Sequence, residues 1–321
     1  MSYFLLILGL ILLVKGADSM IDGAVELATI FGLSPLFIGL SITAFGTSAP
    51  EAAVSIKAAI SSYSSISFGN VLGSNVANMG LVLGLGALIW SVTAKKSTIK
   101  WEIPFCLAIS ILTIFLVRDD WYGKGDNLLS HLDGIILLIL FLFYITYLYF
   151  MAKEDRRNFR LYTDLTEIEH SNKQIFKASI LSLLGIAGVL IGAHLIVDNA
   201  VIIAKKLGIS EILISVTIIA LGTSLPEVAT SLTAMKKKES DIAIGNIIGS
   251  NIFNILFVLG ITSTIRPIRF PLLAFKDLLI VSGISAILLI FTFTHNKISK
   301  KEGGTLLLFY ILYIIFVIIR K

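Results

Sequence analysis

The sequence predicts an all-α membrane protein with ten transmembrane helices, arranged as two inverted five-helix repeats. The composition is the first reason: 56% of the 321 residues are hydrophobic, 15% are charged and the mean hydropathy is +0.92, which is too apolar for an ordinary soluble domain. Apolar stretches long enough to cross a bilayer also recur along the whole chain. Finally, residues 32–84 and 208–260 align without a gap at a constant offset of 176.

The apolar stretches divide the chain into two halves of five spans each. The first repeat is predicted over residues 1–152, with spans at 3–30, 34–60, 66–92, 101–117 and 129–151. Residues 153–174 carry mixed charges and predict a linker. The second repeat is predicted over residues 175–321, with spans at 175–204, 210–235, 242–264, 273–294 and 304–319. The first span belongs to the repeat and is not a signal peptide, because Gly9, Gly16 and Asp22 recur at the same offset as Gly185, Gly192 and Asp198.

The distribution of lysine and arginine predicts how the chain lies across the membrane. When the spans alternate in direction, 15 of the 26 basic residues fall on one side, including those of the linker. The positive-inside rule places that side in the cytoplasm and both termini outside. Five spans per half then make the second half enter from the opposite side, which is an inverted repeat. The net charge of +5 reflects this sidedness and does not indicate nucleic-acid binding.

A Gly-Thr-Ser-x-Pro-Glu element occurs once in each repeat and puts a carboxylate inside a membrane span. In the first copy, Thr47 and Glu51 are four residues apart and share a helical face. Pro50 lacks a backbone N–H and crowds the carbonyl of Gly46, so we expect a kinked helix with freed carbonyl oxygens from Ala44 onward. The second copy repeats the pattern with Ala220, Thr223, Ser224, Pro226 and Glu227. Alone, the proline would indicate a packing kink, but a carboxylate deep in a span indicates an ion site.

A second shared element, Gly-Asn-x-x-Gly-Ser-Asn-x-x-Asn, adds neutral polar side chains. Asn70, Ser74 and Asn78 lie on one stripe of an α-helix, being separated by four residues each. Their counterparts in the second copy are Asn246, Ser250 and Asn254. Glycines in this element favour helix packing, whereas we expect the serines and the last asparagine of each copy to act as ligands or gates. Asn75 and Asn251 point elsewhere in this interpretation and receive no role.

The predicted ligands indicate which ions the chain handles. Carboxylates, hydroxyls and backbone carbonyls are hard oxygen ligands that suit Ca²⁺ and Na⁺ and do not suit Zn²⁺ or copper. Two glutamates neutralise one Ca²⁺, whereas several Na⁺ could share the same oxygens. Duplicated transporter halves build one site at the interface between repeats, so the pattern favours an exchanger in which the two ions compete.

Enzymatic chemistry is not indicated. The sequence contains no Ser/His/Asp or Cys/His set, Walker loop or dinucleotide fingerprint in a suitable context. Cys106 is the single cysteine, which excludes an intramolecular disulfide and a multi-cysteine metal site. We therefore predict no enzyme and no cofactor, with transported Ca²⁺ and Na⁺ and the lipid bilayer as partners. The oligomeric state is left open, with a monomer preferred.

The two elements resemble the α-repeats of the cation/Ca²⁺ exchanger superfamily, most closely its prokaryotic sodium/calcium exchangers. The resemblance rests on GTSAPE…GNVLGSNVAN and GTSLPE…GNIIGSNIFN, and the ten-helix layout extends it over nearly the whole chain. It implies that Glu51 and Glu227 coordinate Ca²⁺ and that long first and sixth spans slide to switch access. It also implies a wider ligand set, comprising Ala44, Thr47, Ser48, Ala220, Thr223, Ser224, Ser74, Asn78, Ser250 and Asn254.

The resemblance implies a Na⁺/Ca²⁺ antiporter of the cell membrane that works by alternating access. Some relatives, including potassium-dependent exchangers, carry Asp where this chain has Asn254, which weakens the case for K⁺ co-transport. Proton/calcium relatives place a Glu shortly after the Gly-Asn of the second element, where this chain has Gly73-Ser74 and Gly249-Ser250. Na⁺ coupling is therefore preferred. A H⁺/Ca²⁺ antiporter and a K⁺-dependent Na⁺/Ca²⁺ exchanger remain the alternatives, and a passive Ca²⁺ channel remains open in principle.

Overall fold

A computed structural model of the chain describes residues 1–61, 64–90, 92–118, 127–162, 171–208, 220–269 and 272–319. In these ranges the chain is almost entirely helical, and eight helices are long and apolar enough to cross a membrane. They are Ser2–Phe31, Ile66–Ile89, Lys96–Val117, His131–Phe159, Asn172–Lys206, Ser240–Ile265, Phe275–Thr294 and Lys300–Ile319. The prediction of an all-α membrane protein is confirmed. The predicted span 34–60 is broken into shorter helices, and the predicted span 210–235 begins outside the described residues.

The first part of the chain contains nine α-helices and two short strands among its described residues. They are α1 Ser2–Phe31, α2 Pro35–Ile38, α3 Ala44–Thr47, α4 Ala49–Ile60, α5 Ser64–Val76, α6 Leu83–Ile89, β1 Val92–Thr93, α7 Lys96–Lys100, α8 Glu102–Val117, β2 Leu128–Leu129 and α9 His131–Tyr162. The described remainder contains α10 Asn172–Lys206, α11 Ala220–Gly222, α12 Leu225–Lys236, α13 Ser240–Phe253, α14 Gly260–Ile265, β3 Ile268–Arg269, α15 Leu272–His295, β4 Lys297–Ile298 and α16 Lys300–Ile319.

Among the described residues, three π-helical segments, which have a wider turn than an α-helix, interrupt the membrane helices. They are Gly39–Thr43, Ala77–Val82 and Asn254–Leu259. The last two follow the Gly-Asn-x-x-Gly-Ser-Asn element in each copy. Short π segments inside α-helices concentrate at functional sites, and here they change the helical register at the last asparagine of the element.

Local sequence explains where the long helices begin and end. Helix α1 ends at Gly32, whose left-handed backbone (φ 62°) lets its N–H close the last turn onto Ala28 and Thr29. Ser34 accepts a hydrogen bond from the backbone N–H of Phe37 and so caps α2. Helix α10 begins with a capping box in which Ser171 and Gln174 satisfy each other's backbone N–H groups.

The chain forms two compact units, and each is built from both halves of the sequence. Unit 1 comprises Met1–Thr47 and Tyr144–Asn246, and unit 2 comprises Ser48–Phe143 and Ile247–Lys321. Each copy of the duplicated motif contributes to both units. The sequence repeats and the compact units are therefore different divisions of the chain.

In unit 1, helices α1 and α10 pack against each other over most of their length. A Cβ on Gly9 would lie 2.9 Å from the carbonyl oxygen of Gly192, and a Cβ on Gly16 would lie 2.9 Å from that of Gly185. Residue numbers rise along α1 while the numbers of the contacted residues fall along α10, so the two helices run antiparallel. Small residues allow this backbone contact, and buried Leu13, Ala17, Val189 and Ala193 form a core beside it.

In unit 2, two short strand pairs join segments from different halves of the sequence. Strand β1 pairs with β4 through Val92 and Ile298, and β2 pairs with β3 through Leu129 and Ile268. Strands β1 and β3 are equivalent at the sequence offset of 176, while β2 and β4 lead into helices α9 and α16. Each strand pair therefore contains one strand from each half of the sequence.

The predicted linker, residues 153–174, is partly helical. Residues 153–162 continue α9, residues 172–174 begin α10, and residues 163–170 lie outside the described part. Within unit 1, Asp155 accepts a hydrogen bond of 2.9 Å from the backbone N–H of Ser34. The polar end of α9, where the predicted linker begins, therefore contacts the N-terminal cap of α2.

Candidate functional site

Each Gly-Thr-Ser-x-Pro-Glu element interrupts its helix, as the proline predicts. In the first copy, α3 ends at Thr47 and α4 begins at Ala49, with Ser48 between them at φ −82° and ψ 6°. In the second copy, Thr223 and Ser224 separate α11 from α12, and Ser224 has φ −87° and ψ 1°. Pro50 and Pro226 stand in the first turn of the new helix, where a missing N–H costs nothing. The prediction of a kink at both places is confirmed.

Most of the predicted ligand residues are fully enclosed. Glu51 and Glu227 are each 0% exposed, and they lie in the first turn of α4 and α12. The other buried members of the set are Ala44, Thr47, Ser48, Ser224, Ser74, Ser250, Asn78 and Asn254. Thr223 is half-buried, and Ala220 begins α11. Carboxylates near a helix N-terminus are stabilised by the helix dipole, yet full burial still requires polar or cationic partners.

In unit 1, the side chain of Asn246 joins the two copies of the motif. Its Nδ2 donates to Ser231 Oγ at 2.8 Å, and its Oδ1 accepts from Thr47 Oγ1 at 3.1 Å. Ser231 lies one helical turn beyond Glu227 on α12. Thr47 Oγ1 also donates to the carbonyl oxygen of Ala44 at 3.3 Å, so that freed carbonyl has a hydroxyl partner. The second copy's helix is thereby fixed beside the first copy's break.

In unit 2, a series of hydrogen bonds fastens α5 to the helix that carries Glu51. Ser74 Oγ donates to Glu51 Oε1 at 3.1 Å. Asn70 Nδ2 donates to Ser55 Oγ at 3.0 Å and to the backbone oxygen of Glu51 at 3.2 Å. Ser67 Oγ donates to the backbone oxygen of Ser55 at 2.7 Å. The structure therefore brings two predicted site residues, Glu51 and Ser74, into direct contact.

Four buried asparagines of unit 2 form a second network. Asn78 Nδ2 donates to Asn251 Oδ1 at 3.0 Å, and Asn254 Nδ2 donates to Asn75 Oδ1 at 3.1 Å. Asn75 Nδ2 donates to the backbone oxygen of Asn251 at 3.3 Å. All four side chains are 0% exposed. Among the described residues, Asn78 Oδ1 and Asn254 Oδ1 have no hydrogen-bond partner, which makes them buried acceptor atoms available to another group.

The network corrects the interpretation of Asn75 and Asn251 as residues that point elsewhere. Both contact predicted ligands of the other copy, Asn251 through Asn78 and Asn75 through Asn254. Outside the predicted ligand set, Thr43 also has a buried Oγ1 without a partner within the described part of the chain. Thr43 corresponds to Ile219 in the second copy, so a search for duplicated polar residues could not find it. For Asn75 and Asn251, the presence of asparagine at the equivalent position of both copies was the sequence signal that could have indicated a role.

The chain is similar to several curated membrane proteins and to solved exchanger structures over most of its length. Residues 1–150 and 177–319 match the family model described as sodium/calcium exchanger protein. Sodium/calcium exchanger MaX1 of Methanosarcina acetivorans is 32% identical over 98% of this chain and 97% of its own. Putative antiporter CaxA of Alkalimonas amylolytica is 36% identical, covering 96% and 95%, and inner membrane protein YrbG of Escherichia coli is 36% identical, covering 88% and 87%. A structure of the sodium-calcium exchanger NCX_Mj soaked with zero Na⁺ and Ca²⁺ superposes with a TM-score of 0.84 at 34% identity, covering 98% of both chains.

Proposed function

Because the chain belongs to the sodium/calcium exchanger family, we propose that it is a secondary active antiporter, which extrudes Ca²⁺ in exchange for Na⁺ by alternating access through one central site. The observation that carries the proposal is the pair of fully buried carboxylates, Glu51 and Glu227, each directly after a helix break at equivalent repeat positions. Buried ionisable groups in membrane spans are costly and mark ion pathways. Matched carboxylates among hydroxyl and amide oxygens suit hard cations.

In this proposal, the two glutamates supply the two negative charges that a Ca²⁺ ion requires. Neutral oxygens complete the coordination of Ca²⁺ and Na⁺, and the proposed donors are Ala44, Thr47, Ser48, Ala220, Thr223, Ser224, Ser74, Ser250, Asn78 and Asn254. The contact between Ser74 and Glu51 supports this assignment, since it places a hydroxyl beside a carboxylate. The side-chain oxygens of Asn78 and Asn254, which have no hydrogen-bond partner among the described residues, support it as well, because a cation would satisfy both.

The proposed scaffold has ten spans in two inverted five-helix repeats, residues 1–152 and 175–321. The antiparallel packing of α1 and α10 supports the inversion, because these helices are the first spans of the two repeats. The reciprocal strand pairs of unit 2 support it too. Lysine distribution supports a cell-membrane topology with the 153–174 linker in the cytoplasm and both termini outside.

Na⁺-driven uptake in proteoliposomes tests the coupling ion. Purified protein is reconstituted with Na⁺ inside, and Ca²⁺ uptake is followed after dilution into Na⁺-free buffer at equal pH on both sides. We expect uptake that requires the Na⁺ gradient and no K⁺. Uptake driven by a pH gradient alone would establish the H⁺/Ca²⁺ alternative, and Ca²⁺ flux without any counter-ion would indicate a channel.

Cysteine labelling tests the inverted topology. Single cysteines replace Ser62 and Lys238, in the equivalent loops after the second and seventh spans, in a Cys106→Ala background. Position 62 lies outside the described residues, and Lys238 follows α12. An impermeant maleimide on intact cells should label position 62 and leave position 238 unlabelled. Equal labelling of both positions would mean that the halves are parallel.

A further inference from the structure

Asn75 and Asn251, to which the sequence pattern assigns no role, each hold the amide of a proposed ligand. Asn254 Nδ2 donates to Asn75 Oδ1 at 3.1 Å, and Asn78 Nδ2 donates to Asn251 Oδ1 at 3.0 Å. At the repeat offset of 176, Asn75 corresponds to Asn251 and Asn78 corresponds to Asn254. The two bonds are therefore one interaction made twice, and each of them runs from one copy of the motif to the other.

These bonds decide which end of each ligand amide is available. A side-chain amide has a donor end and an acceptor end on opposite sides of Cγ, so anchoring the NH₂ group directs the oxygen away from the anchor. Asn75 is itself oriented, because its Nδ2 donates to the backbone oxygen of Asn251 at 3.3 Å and only its oxygen can then receive Asn254. Without an anchor, an amide could rotate and present its NH₂ group to a cation, which is repulsive.

The oxygen ends of the two anchored amides receive no hydrogen bond from the described residues. Asn78 Oδ1 and Asn254 Oδ1 are buried and have no hydrogen-bond partner among the residues that the structure describes. Buried acceptors without partners are rare in folded proteins, because their desolvation is uncompensated. A bound cation removes that cost, since amide oxygens are good ligands for Ca²⁺ and Na⁺.

We propose that Asn75 and Asn251 are positioning residues that turn the oxygens of Asn254 and Asn78 toward the transported cation. The proposal rests on the proposed function, in which Asn78 and Asn254 are ligands. Neutral asparagines suit this task because they offer an oriented oxygen without adding a charge to the site. The equivalent positions 75 and 251 are asparagine in both copies, which agrees with one role performed in each copy.

Crossed double-mutant cycles test the proposal. Asn75→Leu and Asn251→Leu remove the anchor while keeping a side chain of similar size, and Asn254→Ala and Asn78→Ala remove the ligand. The four pairwise combinations give two matched pairs, 75 with 254 and 251 with 78, and two crossed pairs, 75 with 78 and 251 with 254. For each variant, the KM for Ca²⁺ in Na⁺-driven uptake, the equilibrium binding of radioactive Ca²⁺ to purified protein and the melting temperature are measured.

We expect each single substitution to raise the KM and the dissociation constant for Ca²⁺ about tenfold, the loss that one oriented polar contact accounts for. In a matched pair, the second substitution should add less than about twofold, because anchor and ligand act as one unit. In a crossed pair, the two effects should multiply. Multiplying effects in both matched pairs would overturn the proposal. So would leucine variants that lower the melting temperature and leave Ca²⁺ affinity unchanged.

A conservative variant separates orientation from folding. Asn251→Asp keeps an oxygen for Asn78 Nδ2 and replaces only Nδ2, an atom with no partner in the described part of the chain. Because the added carboxylate charge can only strengthen cation binding, its Ca²⁺ dissociation constant should stay below that of Asn251→Leu, and a dissociation constant as high as that of Asn251→Leu would contradict the anchoring role. The binding measurement needs no Na⁺ gradient, so failure of Na⁺ coupling in the wild type would leave this test intact.

Discussion

In both copies of the duplicated motif, an asparagine donates a hydrogen bond to a serine near the glutamate, but the other contacts of that asparagine differ between the copies. Asn70 donates to Ser55 at 3.0 Å, and its counterpart Asn246 donates to Ser231 at 2.8 Å. Asn70 adds a bond to the backbone of Glu51 in its own copy, whereas Asn246 accepts from Thr47 of the other copy. The shared hydrogen bond holds each broken helix against its neighbour, and it is present in both copies. The second contact of the asparagine differs between the copies.

A second difference lies in the loops that follow the two glutamate-bearing helices. In the second copy, Lys237 Nζ lies 2.7 Å from Asp22 Oδ1 and 3.6 Å from Asp18 Oδ1, which ties α12 to α1 inside unit 1. The equivalent position in the first copy is Ser61, which carries no charge. The centre of the motif is therefore duplicated closely, and the charged periphery is specific to one copy.

The largest expected effect comes from removing either buried carboxylate. Glu51→Gln or Glu227→Gln should each reduce Na⁺-driven Ca²⁺ uptake about a hundredfold or more, because a divalent ion in low dielectric loses one compensating charge. Initial uptake rates in proteoliposomes measure this effect, and equal losses would show that the copies contribute equally. Glu154→Gln, at a surface carboxylate with 67% side-chain exposure, is the matched control and should transport normally. Wild-type rates in either buried variant would refute the site.

Hydropathy and the repeat predicted the helices well where the bilayer sets their length. The predicted spans 3–30 and 273–294 correspond to Ser2–Phe31 and Leu272–His295. The helical start of the 153–174 linker was missed, because Lys153 and the residues after it are good helix formers that carry α9 beyond its apolar part. Composition alone cannot tell such a polar helical extension from a loop.

The burial of the two acids of the candidate site was predictable from the sequence, whereas the hydrogen bonds of the residues around them were less so. Duplication of Glu51 and Glu227 within apolar spans predicted that both are buried, as the structure has them, because burying a charge needs a reason. The bonds of Asn75 and Asn251 were not predictable, because a stripe drawn at the α-helical period assigns them to another face.

An intermediate effect is expected from adding a third acid at equivalent positions of the two copies. Asn254→Asp should still allow Ca²⁺ binding but should change the dependence of uptake on K⁺ or pH, because the extra charge must be balanced by another cation or a proton. Asn78→Asp is the matched variant in the first copy. Uptake measured across K⁺ concentrations and pH should respond in both variants. Unchanged dependence in Asn254→Asp would show that this residue does not face the ions, and a response in only one variant would show that the copies differ at the site.

The smallest effect is expected at the charged periphery, where the copies differ most in sequence. Lys237→Gln removes the contacts with Asp18 and Asp22, whose side chains are 37% and 61% exposed, so solvent screening limits the loss to about 0.2–1 kcal/mol of folding free energy. Thermal unfolding of purified protein should show a small decrease in melting temperature at low salt. The decrease should shrink in about 1 M choline chloride, where the Debye length is only about 3 Å. Lys236→Gln, at the exposed end of α12, is the control and should leave the melting temperature unchanged. A salt-independent decrease for Lys237→Gln would mean that its hydrogen bond to the backbone oxygen of Asp18, 2.9 Å long, matters more than the ion pairs.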